Sequence, residues 1–313
     1  MLLKKIEESK DIIISSHINP DGDSIGSGLS LYWALKKKYP NKNIRYIIED
    51  KVPYNYKFLH GTKNIERFEE LKDEPKADVF IVVDSANFKR IGKVEELKKD
   101  AFLINIDHHI SNDLYGDINI VKNTSSASEV VYGVITEILN IEVDSIIGEA
   151  LYTGIITDSG NFQYENTTEN TFKIAGKILT AGIDRNKIIN NVYRSRTLGF
   201  IKVLGLTLSE MVILKDEKIV YFTLTRDFML KNNIQKDETD GIVEKMLEYK
   251  DCEVAVFLKE EENGKIKGSL RSKEKIDVNE VAKLFDGGGH KKAAGFTTYL
   301  KEEEIIRLIK EKI

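Results

Sequence analysis

Between residue 1 and about residue 185, short runs of consecutive apolar residues alternate with longer segments whose apolar positions recur at helical spacing. The runs are Ile12 to Ser15, Ile44 to Ile48, Val79 to Val83 and Phe102 to Ile106, and Ile25 to Lys38 is one of the longer segments. Runs of strand length without polar alternation belong to strands buried on both faces, and their interleaving with helices predicts a parallel sheet covered by helices. Ser126 with Glu129 has capping-box spacing, and Thr168 with Glu169 precedes another helical run. From about Ile183 to Glu210 the pattern is helical with few strand signals. Beyond it, Lys218 to Thr225, Glu253 to Lys259 and Lys265 to Arg271 read as strands of antiparallel type, the last two joined by a turn at Glu262, Asn263 and Gly264. The fold class expected is therefore α/β: a parallel-sheet domain over 1–185, a helical linker over 186–210 and a smaller α+β domain over 211–313. A length of 313 residues favours two domains on its own.

Four of the apolar runs are followed by residues that bind metals. His17, Asp21 and Asp23 follow Ile12 to Ile14; Asp84 follows Val83; Asp107, His108 and His109 follow Ile106; Asp158 follows Gly154 to Thr157. All four are read as strand ends, and in parallel sheets ligands bind beyond the carboxyl ends of the strands. Asp21, Gly22 and Asp23 alone would be ordinary turn chemistry. Recurrence at four such ends points instead to a metal site. Oxygen ligands with a few imidazoles suit Mn²⁺ or Mg²⁺ better than soft metals. A calcium-binding hand is excluded, because Ser24 and Ser30 stand where that loop needs glycine and glutamate. His108 and His109, as neighbours on an extended chain, are expected to point apart, one as a ligand and one with another task. His60 is left with a surface or packing role.

Composition narrows the partners. The apolar fraction of 41% is ample for packed cores, and the net charge of −4 supplies no global basic field to hold a long polyanion. A lone cysteine, Cys252, excludes an intrachain disulfide and reads as an inert buried thiol. The first residues lack the apolar core of a signal peptide, and no stretch approaches a membrane span, so a soluble cytoplasmic protein is expected. Near the other end, Gly287, Gly288 and Gly289 precede His290. Their N–H groups could surround an anion, and the Ala-rich stretch after them could start a helix; a plain glycine hinge is the blander alternative. Lys265, Lys267 and Arg271 would share a strand face with Ser269, an arrangement able to hold phosphate or a base, or simply a solvated face.

Taken together, these motifs resemble the DHH phosphoesterase superfamily, and the pairing with the glycine segment is similar to its DHHA1 subgroup. The resemblance spans nearly the whole chain. It implies a DHH domain joined to a DHHA1 domain with the active site in the cleft, and a kinship with the nanoRNase/pAp phosphatases. Their substrates are very short oligonucleotides, dinucleotides and 3′-phosphoadenosine 5′-phosphate, with no long duplex and no membrane partner. The resemblance further implies two divalent cations, Mn²⁺ ahead of Mg²⁺ or Co²⁺. One would be held by His17, Asp21 and Asp84, the other by Asp23, Asp84, His108 and Asp158. Asp107 would orient a neighbouring imidazole and His109 would face the phosphate. Arg271, Ser272, Gly287, Gly288, Gly289 and His290 would bind substrate. A homodimer is compatible with this reading. A soluble hydrolase of cyclic or linear dinucleotide messengers is the alternative, and a non-catalytic nucleotide-binding regulator ranks below both, since every expected ligand is present.

Overall fold

The computed structural model describes residues 1–313, apart from the side chains of Lys236 and Asp237. The chain forms two compact units, Met1–Ser195 and Arg196–Ile313. The stretch 186–210, expected as a linker, is helical but is shared between them.

The first unit runs α1 (Leu2–Glu8), β1 (Asp11–Ser15), α2 (Gly22–Lys38), β2 (Asn43–Ile48), β3 (Ile65–Arg67), β4 (Val79–Val83), β5 (Phe102–Asp107), β6 (Ile118–Val121), α3 (Ala127–Gly133), α4 (Ser145–Asp158), α5 (Glu169–Leu179) and α6 (Arg185–Tyr193). Its sheet is parallel throughout, in the order β3-β2-β1-β4-β5-β6. The order reverses between β1 and β4, which opens a crevice outside their carboxyl ends. All five residues of β4 are buried, as expected of a strand covered on both faces. On one face Ile12, Ile14, Ile81, Val83 and Ile104 pack against α2, α3 and α4; on the other Ile13, Ile47, Phe80 and Val82 pack against Ile91, Val94 and Leu97. Helices α2 and α4 approach closely because glycines meet: a β-carbon on Gly26 would lie 2.5 Å from the carbonyl oxygen of Ala150.

Two local readings need correction. Asp158 ends a helix, α4, rather than a strand; its short apolar run is the last part of a longer buried helical segment, which length alone would have disclosed. Ser126 caps α3 by accepting from the Glu129 N–H, but Glu129 does not reach back. Its buried carboxylate instead accepts from Ser125, from the Thr171 hydroxyl at 2.6 Å and from Asn170 at 3.1 Å, tying α3 to α5.

The second unit runs α7 (Leu198–Glu210), β7 (Val212–Leu214), β8 (Ile219–Leu224), α8 (Arg226–Lys231), α9 (Ile242–Leu247), β9 (Val254–Glu260), β10 (Ile266–Ser272), α10 (Val278–Ala282), β11 (Gly288–His290), β12 (Ala293–Thr298) and α11 (Glu302–Lys312). Its sheet, β11-β12-β10-β9-β8-β7, is mixed rather than antiparallel, because β8 pairs with β9 in parallel. The intervening α8 and α9 carry the chain back across the sheet, as a parallel connection requires. The hairpin between β9 and β10 forms as read, with Asn263 and Gly264 at positive φ of 65° and 74°. The segment after the glycines is not a helix but strand β12, which inserts Ala294 and Phe296 into the core beside Phe285.

Candidate metal centre

Each side chain of the N-terminal cluster is positioned by the end of a regular element. His17 follows β1 and Asp84 follows β4, so the imidazole and the carboxylate face each other across the point where the strand order reverses, His17 Nε2 lying 3.4 Å from Asp84 Oδ2. Asp84 adopts a left-handed φ of 53°, which turns the chain sharply off the strand and lays its side chain, 2% exposed, over the crevice. Asp21 is the N-cap of α2. Its Oδ1 accepts from the N–H groups of Asp23 and Ser24, both at 3.0 Å, which leaves Oδ2 3.6 Å from His17 Nε2. Asp23, in the first turn of α2, points the other way and accepts from the N–H groups of Ala127 and Ser128 at 2.6 and 2.9 Å. His108 lies just past β5, with Nε2 3.5 Å from Asp84 Oδ1 and 3.4 Å from Asp158 Oδ2.

The result is three overlapping groups with atoms close enough to share one ion: His17, Asp21 and Asp84; Asp23, His108 and Asp158; and Asp84, Asp107, His108 and His109. Asp84 faces the first group's imidazole with Oδ2 and the second's with Oδ1. The ring hydrogens are settled by neighbours that only accept. His17 Nδ1 donates to the carbonyl of Ile18 at 2.7 Å and His108 Nδ1 to that of Thr124 at 3.3 Å, so when either ring gives up a proton it is Nε2 that bares the lone pair a cation needs.

Electrostatics of the cluster favour added positive charge. Burial first, and then the neighbouring Asp84 carboxylate, push Asp23 up to about 7; burial and Asp23 push Asp158 up to about 9. Burial opposes charge on His17 and His108 but loses to the surrounding carboxylates, which raise them to about 11 and about 10. Asp84, despite its burial, is held well below the ordinary carboxylate range by the two imidazoles. Carboxylates that repel one another and imidazoles that must stay protonated to offset them form a donor set completed by divalent cations.

His109 enters only the third of these groups. Its Nδ1 lies 2.8 Å from Asp107 Oδ1 and 3.9 Å from Asp84 Oδ1, so Asp107, fully buried, is its hydrogen-bond partner. The two histidines do not diverge as expected. Their ring centroids are 4.5 Å apart; both lie beyond the last residue of β5, off the regular strand. His60 packs its ring on Trp33 and accepts the indole N–H on its carbonyl.

In the second unit, Lys267, Ser269 and Arg271 alternate along β10 and line a cavity of about 220 Å³ together with Glu244, Phe257 and Lys259. Lys259 is buried, and its ammonium donates to the Thr239 hydroxyl. Nothing in the sequence singled it out, since a lysine late in a strand ordinarily faces water. Lys265 precedes the strand and lies over the Tyr299 ring. Arg271 donates through Nε and Nη2 to Glu244 Oε1 at 2.9 and 2.8 Å. Ser272 turns to the opposite face, is buried, and donates to the Ile276 carbonyl. The glycine segment is not an open ring of N–H groups: Gly287 donates to Ala282 and Gly289 to the Asn279 side chain, at 3.0 Å each. Close packing accounts for two of these glycines, since a β-carbon on Gly287 would strike Phe296 at 2.6 Å and one on Gly289 would meet the Ala293 carbonyl at 2.5 Å. His290 ends β11, exposed.

A parallel sheet with a reversed strand order and clustered imidazoles and carboxylates at its switch point defines an α/β protein with a candidate metal centre. Residues 11–155 match the model of the DHH family, N-terminal domain, and residues 216–313 match the DHHA1 domain. The chain belongs to the DHH phosphoesterase family, with DHHA1 as its second domain. It is 32% identical, over 97% of its length and 95% of the relative's, to the probable bifunctional oligoribonuclease and PAP phosphatase NrnA of Streptococcus mutans. It is 29% identical to the bifunctional oligoribonuclease and PAP phosphatase NrnA of Thermus thermophilus, covering 95% of this chain and 86% of that one. A crystal structure of an exopolyphosphatase-related protein from Bacteroides fragilis superimposes with a TM-score of 0.93 at 30% identity, covering 99% of this chain and 94% of that one. Among the described residues, no helix is long and apolar enough to cross a membrane.

Proposed function

We propose that the chain hydrolyses very short oligonucleotides, dinucleotides foremost, to mononucleotides, and converts 3′-phosphoadenosine 5′-phosphate to AMP, using two divalent cations of which Mn²⁺ matches the ligand set best. The observation that carries the reading is the position of Asp84, with one carboxylate oxygen toward each ligand group. The names of the relatives supply the substrate class.

His17, Asp21 and Asp84 would hold one cation, and Asp23, Asp84, His108 and Asp158 the other. Cations so held neutralise charge on phosphoryl oxygens and ease deprotonation of water. The protein's own groups do the rest. With Nδ1 of His109 committed to Asp107, Nε2 is the atom left for the phosphoryl group. A second proton, taken up on Nε2 by the ring already protonated at Nδ1, would offset charge growing on the phosphoryl oxygens or pass to the leaving oxygen. In the overall reaction the oxygen of water ends on phosphorus, the P–O ester bond breaks, and the departing oxygen leaves protonated. Arg271 and the segment from Gly287 to His290 are assigned to substrate capture, although the N–H groups of Gly287 and Gly289 and the Ser272 hydroxyl are already engaged within the domain.

The test is a matched panel of initial rates with Mn²⁺: 5′-phosphorylated diadenylate, a long RNA, 3′-phosphoadenosine 5′-phosphate, cyclic diadenylate and pyrophosphate. Fast mononucleotide release from the dimer with little decay of the polymer supports the assignment. If cyclic diadenylate or pyrophosphate is turned over fastest, the substrate assignment fails and the metal centre stands.

A further inference from the structure

Asn112, in the turn after β5, uses all of its side-chain hydrogen-bonding capacity. Its Oδ1 accepts from Asn105 Nδ2 at 2.9 Å and from the N–H of Leu114 at 2.8 Å; its Nδ2 donates to Asp107 Oδ2 at 2.6 Å and to the Ser85 carbonyl at 3.2 Å. The orientation of this amide is unambiguous. The Ser85 carbonyl can only accept and the Leu114 N–H can only donate, so a flipped amide would set like against like.

The network reaches inward from there. Asn105 sits in β5 with no exposed surface, an amide among apolar strand residues, and its Nδ2 also contacts Asn119 Oδ1 at 3.3 Å. Asn119 is itself pinned by donating to the carbonyls of Leu114 and Gly116 at 3.2 and 2.8 Å. Burying an amide in a parallel sheet is unfavourable unless it is hydrogen-bonded; Asn105 engages its Nδ2 with both neighbours, while its Oδ1 is left without a partner. The string Asn119, Asn105, Asn112 ends at Asp107, and from Asp107 at the imidazole of His109.

We infer that Asn112 is a positioning residue for hydrolysis. By occupying Oδ2 of Asp107 it fixes the rotation of that carboxylate, so that Oδ1 faces His109 and demands a hydrogen on Nδ1. The imidazole is thereby locked in one orientation and one tautomer, with Nε2 turned outward. This rests on the reading that His109 faces the phosphoryl group. A free aspartate would rotate between orientations and leave the ring to choose; a carboxylate held at both oxygens does not.

The experiment compares the wild type with Asn112→Leu, which keeps the shape of the side chain and removes every hydrogen bond. Both proteins are loaded with Mg²⁺, which is diamagnetic, and labelled with ¹⁵N-histidine. Long-range ¹H–¹⁵N spectra then report the tautomer of His109, assigned with His109→Gln. The wild type should show a single species protonated at Nδ1, and the variant a mixture or loss of that signal. On diadenylate, kcat should fall about 10–100-fold, with KM and Mg²⁺ affinity near those of the wild type. An unchanged tautomer, or a rise in KM with kcat intact, overturns the inference. If Asn112→Leu does not fold, Asn105→Val, a strand-forming replacement one step further along the string, should lower kcat several-fold in the same sense, and an unaltered kcat there counts against the role equally. Full activity of His109→Gln would defeat the assignment of His109 to the phosphoryl group, while the tautomer in Asn112→Leu would still decide the role of Asn112.

Discussion

Gly154 backs directly onto Asp23: a β-carbon on the glycine would stand 2.6 Å from Oδ1 of the aspartate and would collide with the Ser128 hydroxyl. A helix interior ordinarily prefers alanine to glycine, but here the lost side chain is the space that Asp23 occupies. Gly154→Ala should therefore lower stability by about 1–3 kcal/mol through overpacking and weaken cation binding at the same time. Urea unfolding and a Mn²⁺ titration on one preparation check both; a variant as stable as the wild type would mean that α2 and α4 can part without cost.

Asp84 offers an oxygen to each ligand group, so one substitution strikes both. Asp84→Asn should reduce turnover by more than the roughly 100-fold at the upper end for loss of an outer-shell partner. Single replacement of Asp21, half exposed at the rim, should cost less. Steady-state kinetics across the two variants decide it, and near-normal turnover of Asp84→Asn would remove the case for a shared ligand.

Cation loading should expel protons. In the bare protein His17 and His108, raised to about 11 and about 10, are charged near neutral pH, and Asp158, raised to about 9, holds its proton. Ligation needs neutral imidazoles and ionised carboxylates. Binding therefore competes with protons, and affinity should climb as pH rises from about 7, where Asp23 titrates, toward about 11. Calorimetry in two buffers of different ionisation heat counts the protons released. A heat independent of buffer would show that the ligands are already deprotonated.

The first unit was largely legible in the sequence because its strands are buried on both faces, and near-continuous runs such as Val79 to Val83 have few other uses. The clustering of imidazoles and carboxylates is legible because they sit where those runs stop. Asp158 was misplaced because Gly154 to Thr157 is a short apolar stretch that fits the end of a buried helix as well as a strand. The pairing of β8 with β9 was missed because partner direction depends on the path of α8 and α9, which periodicity does not record. The stretch after Gly289 reads as a possible helix start because alanine favours helices; the fold overrides that preference by pairing Ala293 to Thr298 with β10. The amide string was overlooked although one sign of it was present, since Asn105 is a lone polar residue inside the run from Phe102 to Ile106.

Arg271 is held by Glu244 before any substrate arrives, so its guanidinium is already oriented. Arg271→Ala should raise KM by roughly 10–100-fold, the range for losing a hydrogen bond to a charged group, and leave kcat within a few-fold. A change confined to kcat would place Arg271 at the reacting phosphorus instead.

The ligands at positions 17 to 23, 84, 108 and 158 are brought together only after β1, β4, β5 and α4 have found one another, contacts that each close a long loop of chain. Partly folded forms of the first unit therefore have nothing with which to retain the ion. Uptake should follow, never precede, recovery of native structure during refolding, and a fluorescent chelator in a stopped-flow trace would register the order. For the same reason the ion acts as a ligand of the native state alone, so that withdrawing it should lower the melting temperature of the whole N-terminal unit and not merely silence its chemistry.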